Sequence, residues 1–202
     1  MLSQRCNEPE DGPRAVNAIP EQRILDAAYD LVLAVGMRRM TMADIARRAD
    51  ISRATLYRRW ANVRAVVAAL VTREFTAYAT QISATEGTGR DAVVSTVTHV
   101  VGELRVHPLV RKIIDVDPDF LIPYLFHRTG ATSNAQLDLV ETAVRSGQND
   151  GSVRLGEPDM LARAVLLTAW SFTLSGPVFV SAEAYPALDS ELSLLLERYL
   201  RP

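Results

Sequence analysis

The chain has 202 residues, 48% of them hydrophobic and 23% charged, which is enough apolar material for a real core in one or two domains. A net charge of -2 excludes a uniformly basic nucleic-acid binder, but the charge is unevenly spread: Gly36 to Arg64 carries eight arginines against two acids, Asp44 and Asp50. Cys6 is the only cysteine, which excludes an intramolecular disulfide framework and a cysteine-based zinc site and fits a reducing compartment.

Residues 1–19 are polar, acidic and Pro/Gly-bearing, and read as a flexible arm without the apolar stretch of a signal peptide. The expected location is the cytoplasm. A first helix is predicted from near Pro20, with Ile24, Ala28, Leu31, Val32 and Val35 on one face and Gly36 as its stop. Thr41 stands as N-cap of a brief second helix, Met42 to Ala49, with Asp44 three residues on in the capping-box position. Asp50-Ile51 form a turn, and Ser52 caps a third helix reaching about Trp60. Asn62 caps a longer fourth, in which Val63, Val66, Val67, Leu70, Val71, Phe75 and Tyr78 recur at helical spacing.

The EGTGR loop at 86–90 is the strongest boundary signal, with the fourth helix bridging the two parts. Beyond it the pattern predicts a helix from Asp91 to Val106, stopped by His107-Pro108, and short helices in the proline-punctuated HPLVRKIIDVDPDFLIPYLFHRTG. Another runs from Ser133 to Ser146 and ends at Gly147, before the loop GQNDGSVRLGEPD. Two more are expected, Asp159 to Ser175 and Leu188 to Leu200. The charge-free run Ala164 to Val180 holds Gly, Pro, Ser and Thr and falls short of the about 20 apolar residues a bilayer span requires. A buried interface helix fits it better, and no membrane partner is expected. There is no alternating pattern of strand length, so the expected fold is all-α, with about nine helices.

Two short helices joined by a tight turn, the second basic and aromatic, outline a helix-turn-helix. In the stretch ISRATLYRRW, Leu56 and Trp60 lie four apart and form the packing side, and Ile51 plugs the turn. Ile45 and Ala46 let the first helix pack closely. Thr55, Tyr57 and Arg58 project on other faces, and Ala54 is small enough for close approach. Backbone amides after Thr41 and Ser52 suit phosphate oxygens, Arg58 suits a guanine edge, and Thr55 a thymine methyl or a phosphate. The candidate DNA contacts are Thr41, Ser52, Arg53, Ala54, Thr55, Tyr57, Arg58, Asn62 and Arg64, and double-stranded DNA is the expected partner.

The segment TMADIARRADISRATLYRRW resembles the DNA-binding part of the TetR (tetracycline-repressor-like) regulators, with Thr41, Ile45, Ala46, Ser52, Thr55, Leu56, Tyr57 and Trp60 matching. The resemblance covers roughly residues 20–70. It departs at the turn glycine, here Asp50, and at the lysine that opens the fourth helix, here Val63 beside Arg64. It implies three parts: the arm 1–19, a helix-turn-helix DNA-binding domain 20–80, and a helical ligand-binding and dimerisation domain 81–202. It further implies a homodimer paired through the last two long helices, for which Leu161, Val165, Phe172, Leu192, Leu195, Leu196 and Tyr199 supply apolar stripes. A small-molecule effector of unknown identity would sit inside the bundle, with His107, Phe120, Tyr124, Phe126 and Trp170 as candidate wall residues. The function implied is a sequence-specific transcriptional regulator, a ligand-released repressor on a near-palindromic operator.

Two other classes stand beside this reading. An enzyme would need a catalytic constellation, and the histidines His99, His107 and His127 lie in no metal-ligand spacing, nor is there a GxSxG, a GxxxxGK[ST] or a GxGxxG. No catalytic residue, metal or cofactor is expected. The second is a helical ligand-binding or protein-interaction module that does not read DNA, which the valine at 63 leaves open.

Overall fold

The computed structural model describes residues 21–81, 87–123 and 130–202, and every regular element among them is helical. Helix α1 (Glu21–Val35) ends where Gly36 takes φ +75°, a conformation open to glycine at little cost. Helix α2 (Met42–Arg48) opens with a reciprocal capping box: the Asp44 amide donates to Thr41 Oγ1 at 3.1 Å, and the Thr41 amide donates to the Asp44 carboxylate at 3.1 Å. Helix α3 (Arg53–Arg59) is capped by Ser52, whose Oγ accepts the Thr55 amide at 3.0 Å. Helix α4 (Val63–Gln81) starts on Asn62, whose Oδ1 accepts the Ala65 amide at 3.0 Å.

Helix α5 (Gly89–Val106) begins two residues before the predicted Asp91, because Thr88 and Asp91 form a second capping box. Helix α6 (Pro108–Val116) follows directly, with Pro108 in the first turn where its missing N–H costs nothing. A single 3-10 turn, Pro118–Phe120, comes after it.

Helix α7 (Ala131–Asn149) runs through Gly147 instead of stopping there. Gly147 serves a close approach: a Cβ on Gly89 would lie 2.5 Å from the Gly147 Cα, and one on Gly147 would overlap the Val153 side chain. The start of α5 is tied to the same corner, since the Gly89 amide donates to Asp150 at 2.7 Å and the Arg90 amide to Ser152 Oγ at 3.0 Å.

Helix α8 (Pro158–Trp170) continues through a π-helical segment, Ser171–Ser175, into a final turn, Gly176–Phe179. The widening has an identifiable cause. The buried Arg105 of α5 inserts its Nε against the Phe172 carbonyl at 3.1 Å, taking an acceptor that the regular helical ladder would otherwise use. Its Nη2 donates to Asp189 at 2.7 Å, and its guanidinium lies 4.9 Å from the Tyr185 ring centre. That anchors helix α9 (Tyr185–Leu200), which begins three residues before the predicted Leu188. At the other end of α9, Arg154 satisfies a terminal carbonyl: its Nε donates to the Tyr199 oxygen at 2.8 Å, and its backbone N–H donates to the Leu200 oxygen at 2.8 Å.

Two apolar clusters hold the chain together. The first joins α1 to α4 through Ile24, Ala28, Val32, Ile45, Leu56, Val66, Val67 and Leu70, and takes in Leu109, Ile113 and Phe120 from α6 and the turn after it. The second joins α5, α7, α8 and α9 through Val94, Val97, Val144, Leu161, Val165, Leu192 and Leu196. The first core therefore does not close at residue 80, because α6 completes it. Among the described residues, no helix is long and apolar enough to cross a membrane.

Candidate DNA interface and interior cavity

The turn between α2 and α3 is closed by two backbone bonds, Ile51 N–H to the Ala46 oxygen at 3.0 Å and Asp50 N–H to the Arg47 oxygen at 3.2 Å. These are the paired bonds of a Schellman ending, which requires a left-handed residue at its centre. Asp50 fills that place at φ 52°. Leu56 is fully buried, and Ile51 and Trp60 pack against the same core, so α3 has one fixed side. The opposite side carries Arg53, Ala54, Tyr57 and Arg58, all exposed, with Tyr57 at 53%. Thr55 is half-buried, and its hydroxyl lies 2.9 Å from that of Ser52. Thr41, Asn62 and Arg64 are exposed at the rims of the same region. Val63, where the resemblance leads one to expect lysine, packs against the first core instead.

The arginines fall into two groups. Arg23 pairs with Asp50, Arg38 with Asp119, Arg47 with Asp44 and Arg48 with Asp30. Arg53, Arg58, Arg59 and Arg64, on α3 and the start of α4, have no ion-pair partner among the described residues. Apart from Arg39, which also has no ion pair among the described residues, the arginines around the motif are neutralised, whereas those on α3 and at the start of α4 are left for something outside the chain.

The other site is a partly open cavity of about 140 Å³ between α4, α5, α6, α7 and the α8 extension. Its apolar lining includes Val71, Phe75, Leu104, Ile113, Phe120, Trp170 and Leu174, with Thr132, Ser133, Gln136 and Thr173 as polar members. A second, smaller cavity of about 50 Å³ is also lined by Phe75, Leu104, Gln136, Trp170 and Thr173. Phe120 and Trp170 thus meet at the larger cavity, while Tyr124 and Phe126 lie outside the described residues. His107 does not line it. The imidazole is buried where α5 meets α6, with Nε2 3.5 Å from Glu74 and edge-on contacts to Tyr29 and Tyr78. Burial pushes its pKa below the usual range, and the carboxylates of Glu74 and Glu103 pull it back in part. Ser133 and Gln136, absent from the predicted set, were signalled in the sequence only as polar residues three apart on an otherwise apolar helix face.

The predicted dimer residues divide in the same way. Leu161, Val165, Leu192 and Leu196 are buried in the chain's own second core, while Phe172 and Tyr199 pack against it and stay partly exposed. Leu195 is half-exposed, and the large apolar side chains left open nearby are Met160, Leu167, Val178 and Phe179.

A capped helix-turn-helix whose second helix presents unpaired arginines, attached to a helical bundle with a cavity, defines the class of one-chain DNA-binding regulators. The family model described as bacterial regulatory proteins of the tetR family matches residues 24–70. An uncharacterized HTH-type transcriptional regulator of Mycobacterium tuberculosis is 33% identical over 178 residues, spanning 88% of this chain and 93% of its own. One from Mycobacterium bovis matches with the same identity and coverage. Among solved structures, the R. erythropolis transcriptional repressor QsdR from the TetR family superposes with a TM-score of 0.67 at 19% identity, covering 90% of this chain and 96% of that one. FadR from Bacillus subtilis, in complex with stearoyl-CoA, does so with a TM-score of 0.62 at 12% identity, covering 89% and 99%. The chain belongs to the TetR family, and it is a helix-turn-helix DNA-binding transcriptional regulator.

Proposed function

We propose that this regulator is a ligand-released repressor that binds a near-palindromic operator as a homodimer in the cytoplasm. The observation that carries the DNA half is the division of the arginines, with Arg53, Arg58, Arg59 and Arg64 unpaired on α3 and at the start of α4. In this reading Arg58 and Thr55 read base edges, Tyr57 and Arg53 contact backbone or base, and Thr41, Ser52, Asn62 and Arg64 hold phosphates. Ala54 allows the helix to approach the groove closely. Residues 20–80 are the DNA-binding domain and 81–202 the sensing and dimerising one; residues 1–19 lie outside the described residues. The regulator acts by binding, with no catalytic step.

Dimerisation runs through Met160, Leu167, Val178, Phe179 and Leu195 on α8, its extension and α9. Two recognition helices about 34–36 Å apart would then meet successive major grooves. The cavity lined by Phe120 and Trp170 is the effector site, and the stearoyl-CoA held by the Bacillus subtilis neighbour supports a small-molecule signal. A ligand that favours the wrongly spaced conformer shifts the population off DNA, and tenfold release needs about 1.4 kcal/mol of coupling. A gel-shift assay with duplexes from the gene's own upstream region, backed by random-site selection, tests the reading. Failure of every duplex to bind above non-specific background overturns it.

A further inference from the structure

The larger cavity presents a pattern of polar groups that specifies what it accepts. Among the described residues that line it, none is Asp, Glu, Lys, Arg or His. An ion entering would shed part of its hydration without gaining a counter-charge from these described residues, and the aromatic rings of Phe75, Phe120 and Trp170 compensate a cation only in part. Two polar side chains inside are uncommitted. The Trp170 indole N–H, which can only donate, donates to Gln136 Oε1 at 3.0 Å. That bond fixes the Gln136 carboxamide, with its carbonyl turned to Trp170 and its NH₂ turned away with no partner among the described residues. Ser133 lies one turn earlier on the same face of α7, and its hydroxyl has no partner there either. Gln136 is 9% exposed and Ser133 8%, so both face the interior. By contrast, Thr173 donates to the Ala169 oxygen at 2.9 Å, and Thr132 lies 2.6 Å from the Thr72 hydroxyl.

We infer that the cavity binds an uncharged, largely apolar molecule carrying one hydrogen-bond acceptor, a carbonyl-type oxygen held by the Gln136 amide and the Ser133 hydroxyl. This rests on the reading of the cavity as the effector site. At about 140 Å³, it is close to apolar cavities of about 150 Å³ that take up benzene, which suits a substituted aromatic ring or a short aliphatic chain.

The test uses the full chain and four probes of matched size: acetophenone, ethylbenzene, benzoate and 1-phenylethylammonium, with binding followed by calorimetry. Acetophenone is expected to bind about 3- to 10-fold more tightly than ethylbenzene, the margin of one or two neutral hydrogen bonds. Both ions should bind at least about tenfold more weakly than acetophenone. Gln136→Leu and, separately, Ser133→Ala should cut the acetophenone preference and leave ethylbenzene nearly unchanged. Ser133→Ala keeps the test open if Gln136→Leu disturbs Trp170 and fails to fold. The inference is overturned if an ion binds as well as acetophenone, if neither folded variant alters the preference, or if none of the four probes binds. Operator release is scored in a separate assay. The expected preference without release upholds the cavity chemistry and removes only the effector reading.

Discussion

The Asp117 carboxylate, buried just past the end of α6, accepts a hydrogen bond of 2.7 Å from the backbone N–H of Met37 in the turn between α1 and α2. Its other oxygen lies 3.6 Å from Arg38 Nε, and a Cβ on Gly36 would come 3.1 Å from the oxygen that accepts from Met37. One side chain thus joins the helix that walls the cavity, through Val110 and Ile113, to the turn that leads into the helix-turn-helix. Removing the acceptor strands a buried amide. Asp117→Ala is therefore expected to cost about 1–3 kcal/mol in urea unfolding, with Asp117→Asn, which keeps an acceptor, costing less. Equal losses in both variants would show that the bond to Met37 is not what Asp117 supplies.

The arginines of α3 and α4 should behave differently on DNA from Arg47 of α2. Arg58→Ala is expected to weaken operator binding by about 1–3 kcal/mol and to relax base preference at one position, measured by gel shift across single-base operator variants. Arg64→Ala should weaken all duplexes alike and lower the salt slope by about one unit if it stands in for the lysine replaced by Val63. Arg47 already pairs with Asp44 at 2.5 Å, so Arg47→Ala should leave that slope nearly intact. A larger change for Arg47→Ala than for Arg64→Ala would reverse the assignment.

How far these features could be read from the sequence follows from the range of the interactions involved. Thr41 with Asp44, Ser52, Asp50 and Asn62 each act on backbone three or four residues away, so type and spacing alone predict them. Val165 and Leu167 look alike in a helical pattern, yet one is fully buried and the other 67% exposed. Which stripe meets the chain's own core depends on how α5 and α7 pack, and no local pattern carries that. Asp117 stands beside Pro118 in the sequence, and nothing local points to its partner Met37, 80 residues away. His107 reads as a cavity wall because its partners, Tyr29, Glu74 and Tyr78, lie on two distant helices.

Gly147 shows the same limit and yields its own test. Glycine near the end of a helical pattern suggests a stop, but here it leaves room for the side chain of Val153 and the backbone nitrogen of Arg90. Gly147→Ala improves helix propensity by up to about 1 kcal/mol, so any net loss measures the overlap. A net destabilisation of about 1–3 kcal/mol is expected in denaturant melts. A stabilised variant would mean that the α5–α7 corner opens without strain.

The dimer face can be separated from the core by charge insertion. Leu167→Asp and Phe179→Asp alter exposed side chains, 67% and 83% open, and should leave helix content and melting near wild type while lowering the sedimentation mass toward a monomer. Val165→Asp places a charge in the second core and should unfold that part. Retention of the wild-type mass by both surface variants would move the interface off α8 and its extension.

The buried His107 gives the chain a pH dependence whose sign is fixed by its surroundings. Tyr29 faces it from α1, Glu74 and Tyr78 from α4, and Glu103 from α5, while Nδ1 finds no partner among the described residues. Burial dominates and lowers its pKa in the folded chain, so the unfolded chain takes up the proton first. The neutral-imidazole contribution is therefore complete above the unfolded value of about 6.5, is lost as pH falls through it, and levels off below the folded value. The slope for one proton is at most about 1.4 kcal/mol per pH unit. Denaturant melts of the wild type between pH 7.5 and about 5 should show this loss, and His107→Gln, which cannot titrate there, should flatten it. The carboxylates of Asp44, Asp91 and Asp150, all held below their usual range by hydrogen bonds, act at lower pH and do not obscure the window. An equal slope in His107→Gln would assign the loss to another group.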